Sequence, residues 1–100
     1  MYDMANLKKY KKLSELAPEA FDRFVKFDEA AVKGGVIPLK YKELMAVAVA
    51  LTTQCPYCIE IHSKRAKAAG ASEQELAETT LVAAALRAGG AVTHGTHALE

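Results

Sequence analysis

The run Leu44-Met45-Ala46-Val47-Ala48-Val49-Ala50-Leu51 decides how this chain folds. Its valines would suit a buried strand, and a short apolar run cannot by itself separate strand from helix. Three features favour a core helix. The run sits inside a longer stretch, Leu39 to about Thr52 after Pro38, that outlasts an ordinary strand. Its valines alternate with alanine, the strongest helix former. No other segment reads as a strand that could pair with it.

Working outward, the same reading gives helices on both sides. Pro18 suits a first helical position, and Phe21, Phe24, Val25 and Phe27 carry an apolar stripe towards Gly34-Gly35. Leu7 to Leu16 reads as a short amphipathic helix ahead of it. Downstream, Pro56 opens a helix that runs to Gly70, with Lys64, Arg65 and Lys67 near the end where cations suit the dipole. Ser72 with Glu75 forms a capping box and opens a helix from Glu73 to about Arg87. Gly89-Gly90 is expected to break that helix, and a last short one is expected from Ala91 to Leu99. The predicted architecture is all-α, a single helical domain over residues 1–100 with about five to six helices and a central antiparallel helix hairpin.

Composition narrows the class. The chain has 100 residues, 51% of them hydrophobic, and no tryptophan. That is more apolar surface than a lone domain of this size hides, so a homo-oligomer is expected. Thirteen basic residues against twelve acidic give a net charge of +1, which does not suggest a nucleic-acid surface. Lys8, Lys9, Lys11 and Lys12 read as a solvated helix face. The longest apolar run, Leu44 to Leu51, is too short to span a bilayer. Met1-Tyr2-Asp3 opens polar, with no apolar signal core behind it. A cytoplasmic protein without a membrane partner is expected.

The chemistry gathers at Cys55-Pro56-Tyr57-Cys58-Ile59-Glu60-Ile61-His62, which holds the only two cysteines. Two thiols this close exchange with one disulfide, and an adjacent imidazole can make one of them a thiolate. Pro56 at the first helical position puts both sulfurs at a helix N-terminus, where partial positive charge favours a thiolate. His62 lies one turn after Cys58 and about 40° round the helix, within reach of its sulfur. Cys55 has no such partner and is placed to resolve an oxidised Cys58. Glu43 lies roughly nine residues, about 13 Å, before the end of its helix, and His62 about 10 Å into the next. In an antiparallel hairpin the two meet at nearly one level, and the carboxylate would orient the imidazole as the third member of a nucleophile–base–orienter set.

Glu43, Cys55, Cys58 and His62 at these spacings resemble the core motif of the alkylhydroperoxidase D-like proteins of the carboxymuconolactone decarboxylase superfamily. Lys42-Glu43-Leu44, Gln54 to Cys58, and Ala66 to Gly70 before a capping box are similar too, so the likeness runs from about Ala17 to Ala98. The resemblance implies an all-helical fold and assembly as trimers or hexamers. It implies a hydroperoxide substrate, Cys58 as the attacking thiol, Cys55 as the resolving one, and His62 with Glu43 as the proton relay. It also implies reduction by a dithiol partner, lipoylated or thioredoxin-like, with no bound cofactor and no metal. Two departures are plain: the prototype is nearly twice as long, and it has a histidine where this chain has Tyr57.

Two other readings stand beside this one. The same residues suit a dithiol–disulfide oxidoreductase that never meets peroxide. Alternatively, Cys55, Cys58 and His62 with a fourth ligand from His94 or His97 would make a zinc site in a structural oligomerisation module. Tyr57 projects from the redox turn, either to gate it or to pack at a subunit contact. Phe21, Phe24 and Phe27 form core or oligomer surface, or floor a pocket.

Overall fold

Three prolines punctuate the chain, and each marks a helix start. The computed structural model describes residues 2–100, and all regular structure among them is helical. A 3₁₀ segment, Met4–Lys9, leads into α1 (Tyr10–Leu16). Pro18 is the first residue of α2 (Pro18–Val32), and Pro38 caps α3 (Leu39–Thr53) from an extended backbone, φ −59° and ψ 151°. Pro56 begins α4 (Pro56–Ala68), and α5 spans Glu73–Gly95 before a final 3₁₀ turn, Thr96–Ala98. Proline fits these places because the first turn leaves its N–H groups unbonded in any case. The apolar run is a helix and not a strand.

The main departure from expectation lies in α5, which continues through Gly89-Gly90 to Gly95. Two glycines cost roughly 1 kcal/mol each relative to alanine inside a helix. The alanines on either side, Ala83 to Ala85, Ala88 and Ala91, supply enough propensity to carry the helix across. The region expected as a separate helix from Ala91 to Leu99 is therefore divided between the end of α5, to Gly95, and the 3₁₀ turn Thr96–Ala98. Its start is as expected: the Ser72 hydroxyl accepts from the Glu75 N–H at 3.0 Å, and Glu75 Oε1 accepts from the Ser72 N–H at 2.9 Å.

α3 is the central element, packed against both α4 and α5. It buries Leu44, Val47 and Ala50, while α4 contributes Ala66, the next turn Ala71, and α5 Ala83. Alanine dominates this core, so the helices approach closely. The end of α4 is locked by Gly70, whose φ of +100° lets the Ala71 N–H reach the Ala66 carbonyl at 2.9 Å and the Gly70 N–H reach Lys67 at 3.0 Å. That paired closure turns Ala71 back onto Ala66 and Leu44. Polar ties hold the ends: Lys40 Nζ lies 3.0 Å from a Glu75 oxygen, and Arg87 donates to the Thr52 carbonyl at 3.0 Å.

The single chain is far from spherical. Its radius of gyration is 16.6 Å, against about 13 Å for a compact domain of this length. Phe24 and Phe27 on α2 and Leu81, Val82 and Leu86 on α5 leave large apolar groups on the surface. Among the described residues, no helix is long and apolar enough to cross a membrane.

Candidate active site

The site is built by the α3–α4 hairpin. α3 stops at Gln54, which adopts a left-handed backbone, φ 55° and ψ 46°. This bend turns the chain so that the Cys55 N–H still bonds the Ala50 carbonyl, at 3.0 Å, before α4 begins. Cys55 is the N-cap of α4, and its sulfur accepts from the Cys58 N–H at 3.4 Å. Both cysteines are free, with their sulfurs 2.9 Å apart.

Across the hairpin, His62 Nδ1 lies 3.1 Å from Oε2 and 3.3 Å from Oε1 of Glu43. Glu43 is only 1% exposed and is the one buried charged residue among the described residues. An ionised carboxylate only accepts hydrogen bonds, so opposite such a group Nδ1 would carry the proton and leave Nε2 as the basic nitrogen. The helical levels inferred from sequence thus bring these two residues together.

The two thiols differ in acidity. Hydrogen bonding from the Cys58 thiol, then from the Cys58 and Tyr57 backbone N–H groups, holds Cys55 below the ordinary thiol range. Cys58 is pushed up to about 11 because it donates to Cys55, is partly buried, and faces negative charge on Cys55 and Asp28. The helix N-terminus was expected to favour a thiolate at both sulfurs. It does so at Cys55 alone, where the backbone N–H groups and the Cys58 thiol all donate, while Cys58 is the donor of the pair.

Cys58, His62 and Glu43 line a cleft of about 680 Å³ between α2 and the α3–α4 hairpin. Its far wall carries Tyr10, Phe21, Phe24 and Asp28. Tyr10 and Phe21 pack at 5.5 Å between ring centroids, and Phe21 and Phe24 at 6.3 Å. Phe21 and Phe24 therefore line the cleft, while Phe27 does not. Cys55 does not line the cleft. Asp28 was missed by motif reading, although it continues the stripe of Phe21, Phe24 and Val25 at helical spacing.

Tyr57 turns away from the cleft to the N-terminal segment, where its hydroxyl accepts from Asn6 Nδ2 at 3.0 Å. His94, in the last turn of α5, and His97, in the 3₁₀ turn that follows, pack edge to face at 5.7 Å between rings. Among the described residues, no group of three or more His, Cys, Asp or Glu side chains is gathered to hold a metal ion.

Known proteins resemble this chain in sequence and in fold. An uncharacterized protein of the cox locus of Paracoccus denitrificans is 42% identical over 78 residues, covering 78% of this chain and 70% of that protein. An uncharacterized protein of Haemophilus influenzae is 41% identical over 93 residues, covering 93% and 82%. The crystal structure of a carboxymuconolactone decarboxylase family protein from Legionella pneumophila superposes with a TM-score of 0.75 at 35% identity, over 80% of this chain and 71% of that one. The model of the carboxymuconolactone decarboxylase family matches residues 18–100. The chain belongs to the carboxymuconolactone decarboxylase family.

Proposed function

We propose that this chain is a thiol-dependent peroxidase whose redox centre is the Cys55–Cys58 pair. The observation that carries this reading is the buried Glu43 carboxylate 3.1 Å from His62 in the cleft that Cys58 also lines. A hydroperoxide entering the cleft meets Cys58. His62 takes the Cys58 proton at Nε2, and the thiolate attacks the terminal peroxide oxygen, giving a sulfenic acid and the alcohol. Cys55 then attacks the Cys58 sulfur, forming the disulfide and releasing water. An external dithiol returns two electrons and two protons.

A second reading is favoured by one specific observation. Cys55 is held below the ordinary thiol range while Cys58 is pushed up to about 11, the order of acidity of a pair poised for dithiol–disulfide exchange. One experiment separates the two. The reduced protein is mixed with one equivalent of an organic hydroperoxide, or of a protein disulfide, and oxidation is followed by intact mass. Peroxidase chemistry predicts disulfide formation with the peroxide far faster than for free cysteine. If only the protein disulfide reacts quickly, the exchange reading replaces it.

We also propose assembly as a homo-oligomer, a trimer or hexamer, in the cytoplasm. The extended shape and the exposed apolar groups of α2 and α5 support it. Sedimentation equilibrium giving a monomer at micromolar concentration would refute it.

A further inference from the structure

Helix α4 presents two opposite faces. At about 100° per residue, Cys58, Ile61, His62 and Arg65 fall on one side and Pro56, Ile59, Glu60 and Ser63 on the other. The first set lines the cleft, and the second lines a shallow groove together with Tyr2. The groove side of the redox turn therefore meets the N-terminal segment.

That segment is joined to the turn through Tyr57. The Tyr57 hydroxyl accepts from the Asp3 backbone N–H at 3.3 Å and from Asn6 Nδ2 at 3.0 Å. The Tyr2 ring meets the Tyr57 ring edge on, with centroids 5.0 Å apart and planes at 76°. The segment is itself shaped for this contact: the Asp3 carboxylate accepts from the Ala5 N–H at 2.9 Å, and the Asn6 N–H bonds the Asp3 carbonyl at 2.8 Å. The family model matches from residue 18, so Tyr2, Asp3 and Asn6 lie outside that match while Tyr57 lies within it.

We propose that residues 2–6, clasped on Tyr57, act as a size filter on the Cys55–Cys58 turn, slowing dithiols carried on proteins while leaving small dithiols free to react. This rests on reading the two cysteines as a redox pair. In the filtered step one partner thiolate attacks a sulfur of the disulfide, forming a mixed disulfide and releasing the other cysteine as a thiolate. The second partner thiol then displaces the first cysteine. The partner loses two electrons and two protons, and Cys55 and Cys58 gain them. A small dithiol reaches the Cys58 sulfur of the disulfide through the open cleft. A protein must lay its own reactive turn beside the start of α4, where Tyr2, Asp3 and Asn6 stand.

The test uses the full chain, the variant Tyr57→Phe, and a double variant Tyr2→Ala with Asn6→Ala. Each is oxidised with diamide, so that no peroxide chemistry is needed, and disulfide formation is confirmed by intact mass. Reduction rates are then measured with dithiothreitol and with a thioredoxin. In both variants the thioredoxin rate is expected to rise about fivefold or more relative to the dithiothreitol rate, the effect of one lost hydrogen bond. An unchanged ratio in both overturns the filter while leaving the redox pair intact. If diamide forms no internal disulfide in the unaltered protein, the redox reading itself fails and the filter falls with it.

Discussion

The Nδ1 of His62 and the Oε2 of Glu43 lie 3.1 Å apart although the residues are nineteen positions apart in sequence and on different helices. Burial makes this pairing specific, because a carboxylate that is 1% exposed has no water to replace its partner. Glu43→Gln keeps volume and a hydrogen bond but removes the charge that steadies an imidazolium. It is expected to slow peroxide oxidation by about a hundredfold, the scale of lost general-base assistance. Stopped-flow oxidation beside an unchanged circular dichroism spectrum checks it. An unchanged rate would remove the relay from the mechanism.

Truncation of the same residue tests the fold. Glu43→Ala leaves the imidazole without its acceptor and opens space beneath α3. A loss of about 3 kcal/mol is expected in urea unfolding. A loss below 1 kcal/mol would mean that the pair contributes little to stability.

The two thiols should titrate apart. Alkylation followed against pH is expected to show one step below the ordinary thiol range, from Cys55, and a second rising towards about 11, from Cys58. Cys58→Ala removes the thiol donor and should move the Cys55 step upward. Cys55→Ala removes both the acceptor and its charge and should move the Cys58 step downward, as should Asp28→Asn to a smaller degree. Peptide mapping after brief alkylation at neutral pH should find the label on Cys55. Label mainly on Cys58 would reverse the assignment.

Backbone strain gives a further test. Gln54 holds a left-handed conformation that costs a non-glycine residue roughly 1 kcal/mol. Gln54→Gly should therefore stabilise the protein by up to about 1 kcal/mol, whereas Gly70→Ala, at φ +100°, should destabilise it by a similar amount. Thermal unfolding of both variants checks the pair, and a shift of the same sign in both would contradict it.

Much of the site was legible because it depends on helical repeat alone. The 1.5 Å rise places Glu43 opposite His62 once α3 and α4 are read as a hairpin, and proline at a first position fixes where α4 begins. Three matters were not legible. Gly89-Gly90 looked like a break, but glycine inside a helix is a modest penalty that neighbouring alanines outweigh. The order of thiol acidities depends on which sulfur receives the Cys58 N–H, a matter of side-chain geometry and not of spacing. The partner of Tyr57 comes from the other end of the first half of the chain, and no local pattern joins Asn6 to a residue 51 positions away.

The alanine core has a consequence for how the protein adapts. At the buried positions Ala50, Ala66, Ala71 and Ala83, each side chain is already the smallest that still has a methyl group. Trimming one to glycine removes little volume, and enlarging one pushes helices apart, typically at 1–3 kcal/mol. Large cores drift through compensating exchanges of leucine, isoleucine and methionine, a route closed to this one. Substitutions are therefore expected to be tolerated on the outer faces and in the N-terminal segment more readily than between the packed helices.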